Sequence, residues 1–303
     1  MRTPFLCLLA LVLVPPVAAA KKLRVAATLP SLAAIAAEVG GEHVTVEALA
    51  APTEDPHYVD PRPDLILVLS RADALLVNGL ELEGGWLPPL QVAARNAQIQ
   101  PGGDGFLDAS CHVHLLDVPA GFIDRAMGDI HPGGNPHFLF DPRAVSAVAA
   151  EVATLFGRLD PAHAADYAAR GKTFRKELLA LARDEATRFA GLPAERRRVV
   201  VYHKSMEYLL DWLGLEEVLP VEPKPGIPPS PGHVKKVLEA MRAKETRVIL
   251  QEEFYPTGTS ETLAKLAGAS LVRLPGGVRF AAGQRYVEYL REITEAIHGA
   301  LAK

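Results

Sequence analysis

Gly133-Gly134-Asn135-Pro136-His137-Phe138-Leu139-Phe140-Asp141-Pro142 divides the chain into two regimes. Upstream, short strand-like and helix-like runs take turns; downstream, the first long helical periodicity begins. Within the stretch, two prolines hold φ at about −65° on either side of His137 and push the residues before them toward extended geometry. The imidazole is therefore carried on covalently restricted backbone. The same device stands earlier, at Asp55-Pro56-His57-Tyr58-Val59-Asp60-Pro61. Two such Pro-His presentations in one chain predict a metal site assembled from distant segments.

Working upstream from that stretch, residues 102–134 lack periodicity and read as a long loop holding His112, His114 and His131. Before it lie a strand at 23–28, an Ala-rich helix opened by Pro30, an alternating strand at 43–49 and a Pro-containing loop at 51–63 that carries His57. A helix at 64–72, a buried strand at 74–77 and a helix at 80–94 follow. Downstream, Val145, Val148, Ala149, Val152, Leu155 and Phe156 keep helical spacing. A turn at Asp160-Pro161 then starts a second run of about 28 residues, roughly 42 Å of helix. After Gly191-Leu192-Pro193 the alternation restarts, with strands at 198–202, 217–221, 247–251 and 270–274 and helices at 204–213, 232–243, 260–267 and 283–301. The fold predicted is α/β: two α/β lobes with parallel sheets joined by a long rigid linker helix. The boundaries expected are 21–143 for the first lobe, 144–192 for the linker helices and 193–303 for the second lobe.

The first 20 residues carry Arg2, an apolar run at 5–14 and the small-residue end Ala18-Ala19-Ala20, the pattern of a secretory signal peptide cut after about Ala20. The apolar run falls short of the roughly 20 residues that span a bilayer, and nothing later replaces it, so an exported protein with no membrane insertion is expected. Cys7 leaves with the leader and Cys111 is left without an internal disulfide partner. The formal net charge of −4 comes with no basic cluster suited to nucleic acid or anionic lipid. A chain of 303 residues exceeds what one hydrophobic core usually supports, which agrees with two lobes.

His203 follows Val199-Val200-Val201-Tyr202 at the carboxyl end of a predicted strand, where open α/β sheets bind ligands. Three neutral imidazoles with a carboxylate or water complete a tetrahedral zinc site. Glu252 and Glu253 end the strand at 247–251, and strand alternation lets one of them face the cleft. Glu252 is read as the fourth ligand, with water, His131 or Asp129 as alternatives. His112 and His114 read as solvated loop residues. The Pro-rich run at 222–231 reads as a rim loop near the cleft.

Together the leader, the Pro-His-Tyr-Val-Asp-Pro segment at 56–61, the Asn-Pro-His-Phe-Leu-Phe-Asp-Pro segment at 135–142, the Tyr-His-Lys-Ser segment at 202–205 and the helix-linked halves resemble the zinc/manganese solute-binding proteins of ABC importers. The resemblance covers nearly all of the mature chain. It implies a periplasmic, monomeric protein that holds its ion in the cleft between lobes, with His57 and His137 from the first and His203 from the second, and delivers it to a membrane permease. Imidazole at 203 rather than an acid tilts the expected ion to Zn²⁺, with Mn²⁺ as the alternative. One departure stands out: many relatives complete the site with an Asp after the last strand, whereas this chain reads Leu274-Pro275-Gly276-Gly277-Val278-Arg279-Phe280.

A secreted zinc hydrolase also uses three His and a water, but the chain has no H-E-x-x-H and no G-x-S-x-G motif. The expectation is that the protein is not an enzyme. A metal-binding adhesin or buffer with no permease partner shares every feature named so far.

Overall fold

The computed structural model describes residues 21–121, 131–224 and 226–303. The expected leader and Asp129 lie outside the described residues. Two four-stranded sheets, each wholly parallel, organise the chain. The first has the order β2-β1-β3-β4, from β1 (Leu23–Ala27), β2 (Val44–Ala48), β3 (Ala74–Val77) and β4 (Phe106–Asp108). The second has the order β6-β5-β7-β8, from β5 (Arg198–Val201), β6 (Glu216–Glu217), β7 (Val248–Glu252) and β8 (Ser270–Leu274). Parallel sheets need cover on both faces. Accordingly the inner strands β3 and β7 are buried at every residue.

Alternation along the second sheet sends side chains to two different cores. Val199 and Val201 of β5 and Val248 and Leu250 of β7 join the main core, which runs without a break through both halves of the chain. Val200 and Ile249 point the other way, into a smaller cluster with Val237, Met241 and Leu263. Helices α1 (Pro30–Gly40), α2 (Pro63–Arg71) and α3 (Leu87–Ala94) belong to the first half. Helices α6 (Glu207–Leu213), α7 (Pro231–Ala243), α8 (Gly258–Ala267) and α9 (Tyr286–Leu301) belong to the second.

Between the sheets in sequence come α4 (Pro142–Leu159) and α5 (Ala164–Ala190), the latter 27 residues or about 40 Å long. Asp141 caps α4 by accepting the Arg143 backbone N–H at 2.7 Å, and Pro142 occupies the first helical position. On α5 the buried stripe Tyr167, Gly171, Phe174, Leu178, Leu181, Ala182, Glu185 and Phe189 follows the helical repeat. Gly171 lets α5 approach α4, since a Cβ there would meet that of Ala153 at 3.0 Å. Near one end α5 bonds to the first half, Arg170 Nε donating to Glu38 O at 3.1 Å. Near the other it bonds to the second, accepting the Trp212 indole N–H at Ala182 O, 3.0 Å.

Several expected elements differ in extent. The helix expected from residue 80 begins at Leu87, because Leu80 and Glu81 take positive φ of 56° and 63° and the buried Glu83 carboxylate gathers the N–H groups of Asn78 and Gly79 and the Thr28 hydroxyl. The helix expected from 204 begins at Glu207. The aperiodic segment at 102–134 contains β4, a three-residue strand too short to show a period.

Candidate metal centre

His57 lies in the loop after β2, and His203 stands two residues beyond the end of β5, so both stand past carboxyl edges of parallel sheets. His137 comes from the first half's last loop, immediately before a single 3₁₀ turn, Phe138–Phe140, and α4. These three imidazoles meet. Their ring centroids are 5.3 Å apart for His57 and His137, 5.6 Å for His57 and His203, and 5.5 Å for His137 and His203. One ligand nitrogen from each lies within 4.8 Å of the other two. A tetrahedral ion with bonds of about 2.1 Å would set those nitrogens about 3.4 Å apart, so a small contraction would close the shell.

Each ring is aimed by a partner on its other nitrogen. The Asp55 Oδ1 atom accepts the His57 backbone N–H at 3.0 Å and faces His57 Nδ1 at 2.7 Å. The Asn135 Oδ1 atom does the same for His137, at 3.0 Å to the backbone N–H and 2.9 Å to Nδ1. Glu222 Oε2 faces His203 Nδ1 at 2.7 Å and also accepts the Gly226 N–H at 3.2 Å. An oxygen acceptor against Nδ1 fixes the neutral tautomer that carries its proton there, and in that neutral form Nε2 of each ring is a bare lone pair. Three such lone pairs, drawn from residues far apart in sequence, are what a borderline-soft cation needs.

The surroundings are dry and acidic. Only 8% of the His57 side chain is exposed, and 4% of His203. Burial, followed by the neighbouring imidazoles, pushes His137 well below the ordinary histidine value, so this ring is held neutral. Burial acts the same way on His203, but Glu222, Glu252 and Asp55 outweigh it and leave that ring raised. Burial alone would raise Asp55; its hydrogen bonds to His57 win and hold it below the usual carboxylate range. The Tyr255 ring stacks on Tyr202 at 4.7 Å and leans on His203 at 5.6 Å, walling one side. Behind His57, the Trp86 indole N–H donates to Pro56 O at 2.9 Å.

Of the residues expected at the site, the structure gathers His57, His137 and His203 and sets Glu252 outside that group. Glu252 is 1% exposed and accepts the Ser205 hydroxyl at Oε1, while its Oε2 has no hydrogen-bond partner among the described residues. Burial raises its carboxyl, with the Ser205 bond and His203 pulling the other way. His131 touches the group from one side, its Nε2 3.3 Å from His57 Nε2. His112 stands elsewhere, 3.8 Å from a Glu151 oxygen. Sequence reasoning missed the three residues that aim the rings. For two of them a signal was present, because Asp55 and Asn135 each stand two residues before the His in an Asx-Pro-His triplet. Glu222 comes from the Pro-rich segment and has no such mark.

Residues 25–300 match the family described as zinc-uptake complex component A, periplasmic. Among curated relatives, the iron-binding protein YfeA of Yersinia pestis is 25% identical over 86% of this chain and 78% of its own. The high-affinity zinc uptake system protein ZnuA of Paracoccus denitrificans is 28% identical over 71% of each chain. A crystal structure of ZnuA superposes with a TM-score of 0.79, covering 93% of this chain and all of that one at 24% identity. The Pseudomonas aeruginosa solute-binding protein FpvC, solved with Mn²⁺, is 27% identical over 93% of this chain and 99% of its own, with a TM-score of 0.74. With its two parallel-sheet lobes and a profile match along nearly its whole length, the chain belongs to the ZnuA family of metal-binding proteins of ABC importers, which are transport components and not enzymes.

Proposed function

We propose that this protein captures Zn²⁺ outside the cytoplasm, in the periplasm, and delivers it to the permease of an ABC importer. Support comes chiefly from one observation: the ring nitrogens of three imidazoles converge while each Nδ1 faces an oxygen acceptor, which leaves Nε2 as the ligating atom. Imidazole-rich shells favour zinc, and oxygen-rich shells favour manganese. The relatives' names divide among zinc, manganese and iron, so the reading of zinc rests on the donor set.

His57, His137 and His203 would be the ligands, with lobes of residues 21–143 and 193–303 on either side of the ion. Glu252 is carried as the fourth ligand because, among the described residues, its Oε2 is buried without a hydrogen-bond partner while Oε1 accepts the Ser205 hydroxyl. The chain would act as a monomer after losing its leader at about Ala20. Elemental analysis of protein purified without chelator is the test. About one zinc per chain is expected, with retention sharply reduced in His57→Ala, His137→Ala and His203→Ala. Manganese or iron in place of zinc under balanced supply would sink the choice of ion.

A further inference from the structure

Asn135 and Asp55 do the same work for their histidines, yet one is an amide and the other a carboxylate. The difference has a geometric counterpart. Asn135 is 8% exposed, and its Oδ1 must be the atom facing the His137 backbone N–H, which can only donate. Its Nδ2 therefore points the other way, and there it donates to the Lys204 carbonyl at 2.9 Å. Lys204 is the next residue after His203, in the second lobe. A carboxylate could aim His137 equally well but has no proton to offer that carbonyl.

The backbone of Asn135 reinforces the tie. Its carbonyl accepts the Tyr208 hydroxyl of α6 at 3.0 Å, and that hydroxyl in turn accepts the Leu116 N–H at 3.0 Å. Leu116 O accepts the Asn135 N–H at 2.9 Å. One side chain thus touches the aiming nitrogen of His137 and the backbone beside His203, across the boundary between lobes.

We propose that Asn135 is a positioning residue that couples the aim of His137 to the closure of the lobes, so that metal retention depends on the amide as a donor as well as an acceptor. This rests on the reading of the three histidines as the metal site. It predicts that Asn135→Asp, which keeps the acceptor and loses the donor, separates the two roles, whereas Asn135→Leu abolishes both.

The experiment measures zinc release to an excess of chelator, the visible spectrum of the Co²⁺-loaded protein, and the distance between spin labels on the metal-free protein. The labels go at the exposed positions Leu67 on α2 and Leu266 on α8, in a Cys111→Ser background. For Asn135→Asp, the Co²⁺ band positions should match the parent. Zinc release should be about three- to tenfold faster, the loss of one hydrogen bond, and the label distances should broaden. The sign is informative, because an extra negative charge acting alone would slow release.

Asn135→Leu should alter the Co²⁺ spectrum as well. Tyr208→Phe, which leaves Asn135 intact, should shift release and distances the same way by a smaller amount. Parental or slower release with parental distances in Asn135→Asp, or a Co²⁺ spectrum changed as much as in Asn135→Leu, overturns the proposal. If the parent itself takes up neither ion, the metal-site reading falls, and the label distances still decide whether Asn135 holds the lobes.

Discussion

At the scale of single residues, the centre depends on which nitrogen of each ring is occupied. Glu222 holds His203 from behind with a charge-assisted contact at 2.7 Å. Glu222→Gln keeps the shape but removes the charge and offers an N–H in one of its two orientations, so zinc affinity should fall about 10- to 100-fold, measured by competition with a chromophoric chelator. An unchanged affinity would show that the carboxylate is dispensable for aiming His203. Glu252→Gln asks a different question: a loss comparable to that of a His→Ala variant would mark direct ligation, and parental affinity would place Glu252 outside the shell. His57 and His137 were legible because proline announces them, and His203 because it closely follows a run of β-branched residues. The direction of Glu252 was not, since alternation says only that one of two neighbours faces the cleft, and Ser205, which engages its carboxylate, comes from another segment.

Elements carry the site without touching it. Leu178 lies in the middle of the α5 stripe and is fully buried. Its replacement by Ala should cost about 2–5 kcal/mol in urea unfolding, while zinc stoichiometry in the folded baseline stays at that of the parent. At the edge of the second sheet, burial and then the charge of Glu207 push the Glu217 carboxyl of β6 from 4.5 up to about 8. A carboxyl raised in the folded state contributes most below its unfolded pKa and loses that contribution as pH climbs through the folded value. Stability should therefore decline between about pH 4.5 and 8 from this group, and Glu217→Gln should flatten that decline in denaturant titrations. Long elements such as α4 and α5 were readable from spacing alone. The turn ahead of α3 was not, because its left-handed residues Leu80 and Glu81 are neither Gly nor Asn and owe their conformation to the distant Thr28 and the buried Glu83.

Over the whole molecule, a metal site drawn from both halves would make ion binding a folding term. An ion that binds only the native chain adds about 2.7 kcal/mol at a free concentration of 100 Kd, so the melting temperature should rise with zinc and fall back with chelator. No rise would contradict a preformed site of this kind. The two-lobe α/β architecture was readable because its alternation is interrupted once, by α4 and α5. What the letters could not convey is how the halves meet: the Arg285 guanidinium at the start of α9 reaches Glu38 of α1 at 2.6 Å and Glu177 of α5 at 2.8 Å. Such pairings join residues far apart in sequence and leave no local period.

The chain has two tryptophans, and one of them leans on the peptide group next to His57. That indole is 2% exposed, so its emission answers to its immediate electrostatic neighbours rather than to bulk solvent. Replacing Trp212 with Phe would leave a single built-in lamp at the rim of the cation's seat. Its brightness or colour should then change as the seat fills, giving a label-free optical record of capture and hand-over in real time.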